Sequence, residues 1–312
     1  MKITTKGVYR DVSSNDYFSD PCPSPSLSQS VAKILIEQSP LHAYYAHPRL
    51  GEPLADEDDG EKYDKAKAIG NAAHAIMLGR GKVLEVGDFD NWRKKEAQEF
   101  KAEALAAGKE PILAKHYSTA MNMVESALEQ LNRIHGCKNA FTYGDAEVVI
   151  ASCEHDLWLR AMVDWITPDA REIWDYKTSG MSASPYNTGK QMASGGWHIQ
   201  AAMHERILDA IDPKTAGRRR HFFVCQENEP PYALTVNEIA EAPMTIGRKQ
   251  IDYAVTAWGH CLAKSEWPGY PLRIIHPELP VWAESGWLQR EESELSEAED
   301  RVKNRLDSLM GG

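Results

Sequence analysis

Residues 146–179, AEVVIASCEHDLWLRAMVDWITPDAREIWDYKTS, contain three runs rich in β-branched and aromatic residues that short polar breaks separate. This pattern predicts three consecutive β-strands joined by tight turns. If Asp169-Ala170 forms the tip of the second turn, Asp164 lies directly opposite Asp175 in the resulting hairpin. The same register predicts two flanking pairs, Trp165 with Trp174 and Val163 with Tyr176.

The first turn fixes the position of a third acidic residue. If Glu154-His155 forms its tip, Glu147 lies opposite Met162 and diagonal to Asp164. Because side chains alternate between the faces of a strand, one face is then predicted to be wholly apolar. Its members are Val148, Ile150, Leu159, Ala161, Val163, Trp165, Trp174 and Tyr176.

The opposite face carries an unusual set of charges: Glu147, Arg160, Asp164, Asp175 and Lys177. Like charges that face each other in a sheet are destabilising, so these carboxylates require a compensating cation. Carboxylate oxygens suit hard divalent ions such as Mg²⁺. An ammonium group on the same face can orient a water molecule or neutralise charge that develops on a phosphate. The set therefore provides the parts for phosphodiester hydrolysis, while a solvated charged face is the simpler alternative.

The rest of the chain predicts an α/β domain with a central sheet flanked by helices. Ser28 is expected to cap a helix that ends before Ser39-Pro40. The segment 287–309 is charged and spaces Leu288, Leu295, Val302 and Leu309 by sevens, which predicts a helix. Further helices are predicted at about 61–78, 90–108, 114–134, 197–211 and 237–264, with a strand at 221–225.

Composition excludes several classes of protein. The 312 residues are 42% hydrophobic and 26% charged, as in globular proteins, and carry a formal net charge of −11. Five cysteines without a CxxC pair argue against a disulfide framework, a structural zinc site or an iron–sulfur cluster. The first residues lack a signal-peptide core and no apolar run reaches bilayer length, so a cytoplasmic protein without membrane contact is expected. The acidic balance permits a nucleic-acid enzyme whose basic groups lie in one groove.

Taken together, these segments resemble the PD-(D/E)xK nuclease superfamily, and within it the RecB-like exonucleases of the RecE group and their phage relatives. The resemblance covers most of the chain. It rests on Glu147, LRAMVD at 159–164, IWDYKT at 173–178, SLSQS at 26–30, SPLH at 39–42, IGNAAH at 69–74, WHIQAA at 197–202 and WPGY at 267–270.

The resemblance implies a role for each matching position. Asp164 and Asp175 would bind the metal together with the backbone carbonyl of Tyr176, and Lys177 would be the catalytic lysine. His74 would stand beside the metal, and Glu147 would serve a second metal or position water. Gln200 would contact DNA or brace the site, and Arg160 could support a phosphate. The group commonly has tyrosine where this chain has His204, which leaves that residue as a further candidate for DNA binding.

The resemblance also implies a restriction-endonuclease-like core and a Mg²⁺-dependent exodeoxyribonuclease, with Mn²⁺ as a substitute. The substrate would be linear double-stranded DNA, degraded 5′ to 3′ to leave 3′ single strands for an annealing protein. A homo-oligomeric ring is expected. We expect one domain over 1–286, with an N-terminal arm and helix in 1–60, a helical part in 61–145 and the catalytic core in 146–286. A charged C-terminal helix in 287–312 would follow.

Three alternatives remain open at the level of sequence. A structure-specific or restriction-type endonuclease could use the same core. The CRISPR-associated iron–sulfur branch of the superfamily lacks support because no four-cysteine arrangement surrounds the core. A catalytically inactive remnant that binds DNA is opposed by the presence of all the acidic residues and the lysine.

Overall fold

The computed structural model describes residues 2–51 and 60–310 of the chain. Two compact units are distinguished, Met1–Gly269 and Tyr270–Gly312. The predicted domain boundary at residue 286 falls inside the last helix, Val281–Met310. In the part of the chain that the structure describes, no helix is both long enough and apolar enough to span a membrane.

The strands of the first unit form a larger mixed sheet and a separate pair. The larger sheet has the order β1-β5-β6-β7-β8-β9, with β2 beside β6, and the separate pair is β3 and β4. Pairs β2–β6, β7–β8 and β3–β4 are parallel, and the other pairs are antiparallel. The mixed sheet confirms the predicted α/β class. The bounds are β1 Gly7–Tyr9, β2 Leu27–Ser28, β3 Leu84–Gly87, β4 Glu110–Leu113, β5 Asp145–Glu154, β6 Leu157–Ile166, β7 Glu172–Ser179, β8 Arg220–Glu227 and β9 Leu234–Glu238.

The helices of the first unit agree closely with the sequence pattern. Ser28 caps α2 by accepting a hydrogen bond from the backbone N–H of Val31, as predicted. The expected helix at 237–264 begins later, because Leu234–Glu238 pairs with β8 as an edge strand. The bounds are α1 Ser14–Phe18, α2 Gln29–Glu37, α3 Pro40–Ala46, α4 Gly60–Leu78, α5 Lys95–Ala106, α6 Ala114–Arg133, α7 Pro185–Gly195, α8 Trp197–Ile211 and α9 Glu241–Lys264.

The larger sheet is covered on both faces. One face packs on α2, α8 and α9, through buried side chains that include Val163, Met203 and Trp258. The other face packs on α4 and α6, through side chains that include Trp174 and Met123. A third cluster joins the N-terminal segment to β5 and β6. The strands that carry the acidic residues therefore lie between two layers of helices.

The predicted turn between β5 and β6 is wrong by one residue. His155 and Asp156 form its tip, with φ of 49° and 66°, as a two-residue hairpin with both residues left-handed requires. Met162 therefore pairs with Val149 instead of Glu147. The neighbouring pairs Ala146–Trp165 and Val148–Val163 place Glu147 across from Asp164, closer to it than the sequence suggested.

The predicted single apolar face is also wrong, because the strands change face at Glu147 and Asp164. Val148 and Val163 pack on the α8 side, whereas Trp165 and Trp174 pack on the α4 side. Glu147 has a φ of 48°, a left-handed conformation that interrupts the regular alternation of a strand. The interruption coincides with the acidic residues and gives them access to both helical layers.

The second unit contains α10, Val281–Met310. Its side chains are exposed through most of the described length, including Leu288, Leu295 and Val302 at 51%, 66% and 61%. The predicted helix is confirmed, and the side chain of Leu309 lies outside the described residues.

Candidate active site

The hairpin of β6 and β7 opens at Asp164. Trp165 pairs with Trp174 and Ile166 with Ile173, as predicted, and the ladder between these two strands ends there. The expected pairs of Asp164 with Asp175 and of Val163 with Tyr176 are not formed. The backbone N–H of Tyr176 instead donates a hydrogen bond of 3.1 Å to Oδ2 of Asp164. The Asp164 carboxylate thus accepts a hydrogen bond that a backbone carbonyl would accept in a regular ladder, and it remains between the two strands.

Asp175 and Lys177 lie on the α8 side of the opened strand. Nζ of Lys177 is 2.6 Å from Oδ1 of Asp175 and donates to Oε1 of Gln200 at 3.3 Å. The amide of Gln200 donates in turn to Oδ2 of Asp175. Asp175 is only 3% exposed, whereas one third of the Lys177 side chain is accessible. Gln200 therefore braces both charged groups, which agrees with one of the two roles expected for it.

His74 reaches the site from the opposite layer. Its Nε2 lies 3.0 Å from Oδ2 of Asp164. Helix α4 can approach this closely because Gly70, one turn earlier, faces β7: a Cβ at Gly70 would lie 2.6 Å from Oγ1 of Thr178. The spacing of Gly70 and His74 thus has a packing reason, since the glycine permits the contact that carries the histidine to the carboxylate.

We expect Gly70→Ala to separate α4 from β7 and to reduce any activity of this site by up to about 10²-fold, because small misplacements of reacting groups are costly. Overpacking should also cost about 1–3 kcal/mol of unfolding free energy. Hydrolysis rate and thermal unfolding would be measured together. Gly189→Ala is the matched control, because a Cβ there meets nothing within 4 Å.

A double variant, Gly70→Ala with Thr178→Ala, should recover most of the loss, because removing Oγ1 leaves the Thr178 Cβ at 3.9 Å. Equal activity of Gly70→Ala and wild type would show that close helix approach is not needed.

The charged groups of the site shift one another's pKa. Burial alone would raise the pKa of Asp164, but the charge and hydrogen bond of His74 outweigh it and lower that pKa. Burial and the nearby negative charge of Asp164 raise the pKa of Asp175, although Lys177 opposes the shift. Burial likewise raises the pKa of Glu147. The three acidic groups are therefore close enough to repel one another, and His74 and Lys177 supply the charge that compensates them.

The donor chemistry suits a hard divalent cation. The buried carboxylate of Asp175, the half-buried carboxylate of Asp164, a third acidic residue and an imidazole lie close together, and carboxylate oxygens are the usual ligands of Mg²⁺. In the part of the chain with described side chains, no three acidic, histidine or cysteine residues are already arranged as a metal-binding group. His74 and Lys177 instead pair with the carboxylates of Asp164 and Asp175 and supply part of the positive charge that a metal cation would bring.

A groove of about 430 Å³ opens on these residues. Helix α4 forms one wall and the ends of β7 and β8 form the other. The lining includes His74 and Lys177 from the acidic cluster and is otherwise mostly polar: Ala66, Lys67, Gly70, Asn71, Tyr176, Thr178, Ser179, Gly180 and Asn228. Its lining includes two lysines, of which Lys177 pairs with Asp175.

Arg160 does not reach this groove. Its side chain is 3% exposed and donates to the backbone carbonyl of Ser26 at 2.8 Å, and it lies 3.3 Å from Oδ1 of Asp20. The expected support of a DNA phosphate by Arg160 does not fit this location, because the guanidinium is paired inside the protein. The alternation of side chains along the strand could not predict this burial, because the N-terminal segment that covers Arg160 is remote in sequence.

His204 is also buried, at 2% exposure, so the structure does not place it where DNA could contact it. Its ring centroid lies 6.2 Å from that of His221 on β8. Nε2 of His204 and both ring nitrogens of His221 lack a hydrogen-bond partner among the described residues. Burial lowers the pKa of His204 to about 4 and holds the pKa of His221 well below its usual range.

These histidines should make the fold sensitive to acid. Their pKa is about 6.5 in an unfolded chain, so the unfolded state binds protons first as the pH falls. The stability that the neutral rings contribute is present above about pH 6.5 and is lost as the pH falls toward about 4, by about 3 kcal/mol for His204. Urea unfolding between these pH values should show a smaller loss for His221→Asn than for wild type. The exposed His135→Asn is the control, and equal losses in both variants would contradict the interpretation.

Several residues near the site were not predicted from sequence. Thr178 directly follows the lysine and forms the contact with Gly70, and Asn71 and Asn228 line the groove. Arg80 lies between Gly79 and Gly81, whose φ values of 61° and 112° form a tight turn after α4. A Cβ on Gly81 would lie 3.5 Å from Oε1 of Glu147, so this turn adjoins the acidic cluster. The Gly-Arg-Gly sequence was the available signal for it.

Comparisons with known proteins identify a family and a similar fold. Residues 54–273 match the model of a family described as a PDDEXK-like domain of unknown function. The fold is similar to the crystal structure of a protein described as a "putative exonuclease" from Eubacterium rectale, with a TM-score of 0.51 and 12% sequence identity. That similarity covers 90% of this chain and 97% of the other. Among curated proteins, no sequence matches this chain.

Proposed function

Because the chain belongs to the family of PDDEXK-like domains of unknown function, we propose that it is a metal-dependent DNA nuclease that degrades linear duplexes from their ends. The observation that carries the proposal is that Lys177 and His74 line one polar groove and pair behind it with Asp175 and Asp164. These are the acidic and basic residue types that phosphodiester hydrolysis requires. The fold neighbour described as an exonuclease supports action at ends.

Asp164, Asp175, the carbonyl of Tyr176, Glu147 and His74 would hold the metal, which we propose to be Mg²⁺ with Mn²⁺ as a substitute. A divalent cation at such a site supplies Lewis-acid stabilisation of the phosphate oxygens. Side chains of the protein fix the geometry of the site and act on the water and the phosphate. Gln200 fixes Asp175 and Lys177 relative to each other, and Lys177 presents an ammonium toward the groove. There it can orient the attacking water and neutralise charge on the phosphate.

His74 provides a second fixed cation. Burial would lower its pKa, but Asp164 outweighs burial and raises it, which favours the protonated form of the ring. Before the metal binds, a protonated His74 would hold Asp164 in place through the pair at 3.0 Å, and the ring would have to lose that proton to hold the metal.

Finer features of the proposal rest on the resemblance to the RecE group. They are 5′-to-3′ polarity, release of 3′ single strands for recombination through an annealing protein, a homo-oligomeric ring and a cytoplasmic location. A ring agrees with the net charge of −11, because an acidic exterior can repel DNA while a channel stays basic.

The test uses purified protein and a linear duplex labelled at either the 5′ or the 3′ end, with Mg²⁺ or with EDTA, beside a closed circular duplex. We expect release of the 5′ label first in Mg²⁺, no release in EDTA and no cutting of circles. Cleavage of circles would identify an endonuclease instead. Absence of hydrolysis with every divalent metal would leave a DNA-binding remnant as the better interpretation.

A further inference from the structure

A second pocket lies beyond Glu147. Its volume is about 430 Å³, and its lining combines the N-terminal segment with the turn that follows α4. The residues are Val12, Ser13, Ser14, Asn15, Gly79, Arg80, Gly81, Lys82 and Glu147. No residue of this pocket other than Glu147 belongs to the catalytic site described above.

The two pockets follow each other along α4. Residues 66–74 of the helix line the first groove, and 79–82 line the second. His74 lies at the end of the first set, and Glu147 belongs to the second. From Lys67 to His74 the helix rises about 10 Å, at 1.5 Å per residue. This matches about three nucleotides of one DNA strand, at 3.4 Å each. The two pockets therefore follow each other along this helix and the turn after it, with His74 in the first and Glu147 in the second.

Two cations give the second pocket its charge. The Arg80 guanidinium is fixed at one nitrogen, because Nη1 donates to the backbone carbonyl of Arg10 at 2.7 Å. Lys82 is half exposed, and its nearest carboxylate oxygen, on Glu110, lies 3.8 Å away. Gly81 lets the turn approach Glu147 closely, since its φ of 112° is one that other residues rarely adopt. The cations are therefore held next to Glu147, where the charge of Arg80 opposes the rise that burial causes in the pKa of this carboxyl, while Asp164 and Asp175 pair with His74 and Lys177.

We propose that Arg80 and Lys82 bind a backbone phosphate of the DNA strand, adjacent to the reacting phosphate on the Glu147 side. This rests on the proposed nuclease function and adds a second substrate contact to it. The phosphate is either internal to the strand or a terminal monoester, and both have the oxyanion chemistry that a guanidinium and an ammonium recognise.

The experiment measures binding apart from hydrolysis. Lys177→Ala protein is titrated with a fluorescent duplex, with and without a 5′-terminal phosphate, between about 50 and 200 mM salt. Arg80→Gln and Lys82→Gln in that background should each weaken binding and reduce the salt slope, and the double variant should reduce it by about 0.9, the value for one lost phosphate contact on duplex DNA. Arg133→Gln is the matched control, because this arginine is 78% exposed and lies on α6, outside both pockets. Its slope should stay unchanged.

A slope reduction with both duplexes identifies an internal phosphate, and a reduction confined to the phosphorylated duplex identifies the terminal one. Unchanged slopes in both variants would overturn the proposal. If wild-type protein still cleaves DNA in that case, the nuclease function stands, whereas protein that neither binds nor cleaves DNA refutes both. Lys82→Gln keeps the test valid if Arg80→Gln loosens the N-terminal segment, and thermal unfolding of each variant checks this.

Discussion

Lys177→Ala is expected to lower the rate of DNA hydrolysis by at least about 10²–10³-fold, the loss that follows removal of one preorganised group that stabilises transition-state charge. The ammonium is the group of the site that combines access to the groove with contacts to Asp175 and Gln200. Its loss also leaves the Asp175 carboxylate without its nearest cation. Rates would be measured on a linear duplex in Mg²⁺.

Lys264→Ala is the matched control, because this exposed lysine lies at the end of α9, outside the grooves described. It removes the same charge and should leave the rate unchanged. DNA affinity of Lys177→Ala should stay within a few-fold of wild type, since a single phosphate contact is a small part of the electrostatic attraction. A variant that binds DNA and hydrolyses it at the wild-type rate would remove Lys177 from the mechanism.

Arg160→Ala is expected to destabilise the fold by about 3–5 kcal/mol, as does removal of one partner from a buried ion pair. Asp20 accepts hydrogen bonds from the backbone and side chain of Ser26, and His47 lies 3.3 Å away. Burial would raise the pKa of Asp20, but His47 and Arg160 outweigh it and lower that pKa to about 2. Without Arg160, a buried carboxylate loses a principal partner.

Urea unfolding would measure this effect. Arg10→Ala is the control, since the Arg10–Asp145 pair is exposed at 51% and 37% and should contribute less than about 1 kcal/mol. DNA affinity of folded Arg160→Ala protein should equal that of wild type. A loss of affinity with little loss of stability would restore the DNA-binding role expected from sequence.

Regular periodicity predicted much of the fold. The helices α2, α4, α6 and α8 were located within a few residues, because capping serine, terminal glycine and helical spacing are local signals. The pairs Trp165–Trp174 and Ile166–Ile173 followed from the turn. Glu147 was misplaced because the turn between β5 and β6 lies one residue later than predicted, and its left-handed backbone then changes the face of the strand.

The candidate site was predicted in its strand residues and less well around them. Asp175 and Lys177 share a face by spacing alone, and Gln200 contacts both. The burial of Arg160 and His204 depends on the N-terminal segment and on β8, which are distant in sequence. Contacts between segments distant in sequence produce no periodic pattern of residues from which they could be predicted.

The conformation of Glu147 has a consequence for how this protein could change. The φ of Glu147 is 48°, and a left-handed conformation costs a residue other than glycine about 1–2 kcal/mol. Glycine at this position would relieve that cost but would remove a carboxylate from the proposed reaction centre. Stability and chemistry therefore favour different residues at this position. Selection for stability alone would favour glycine, whereas the proposed chemistry requires the carboxylate of Glu147.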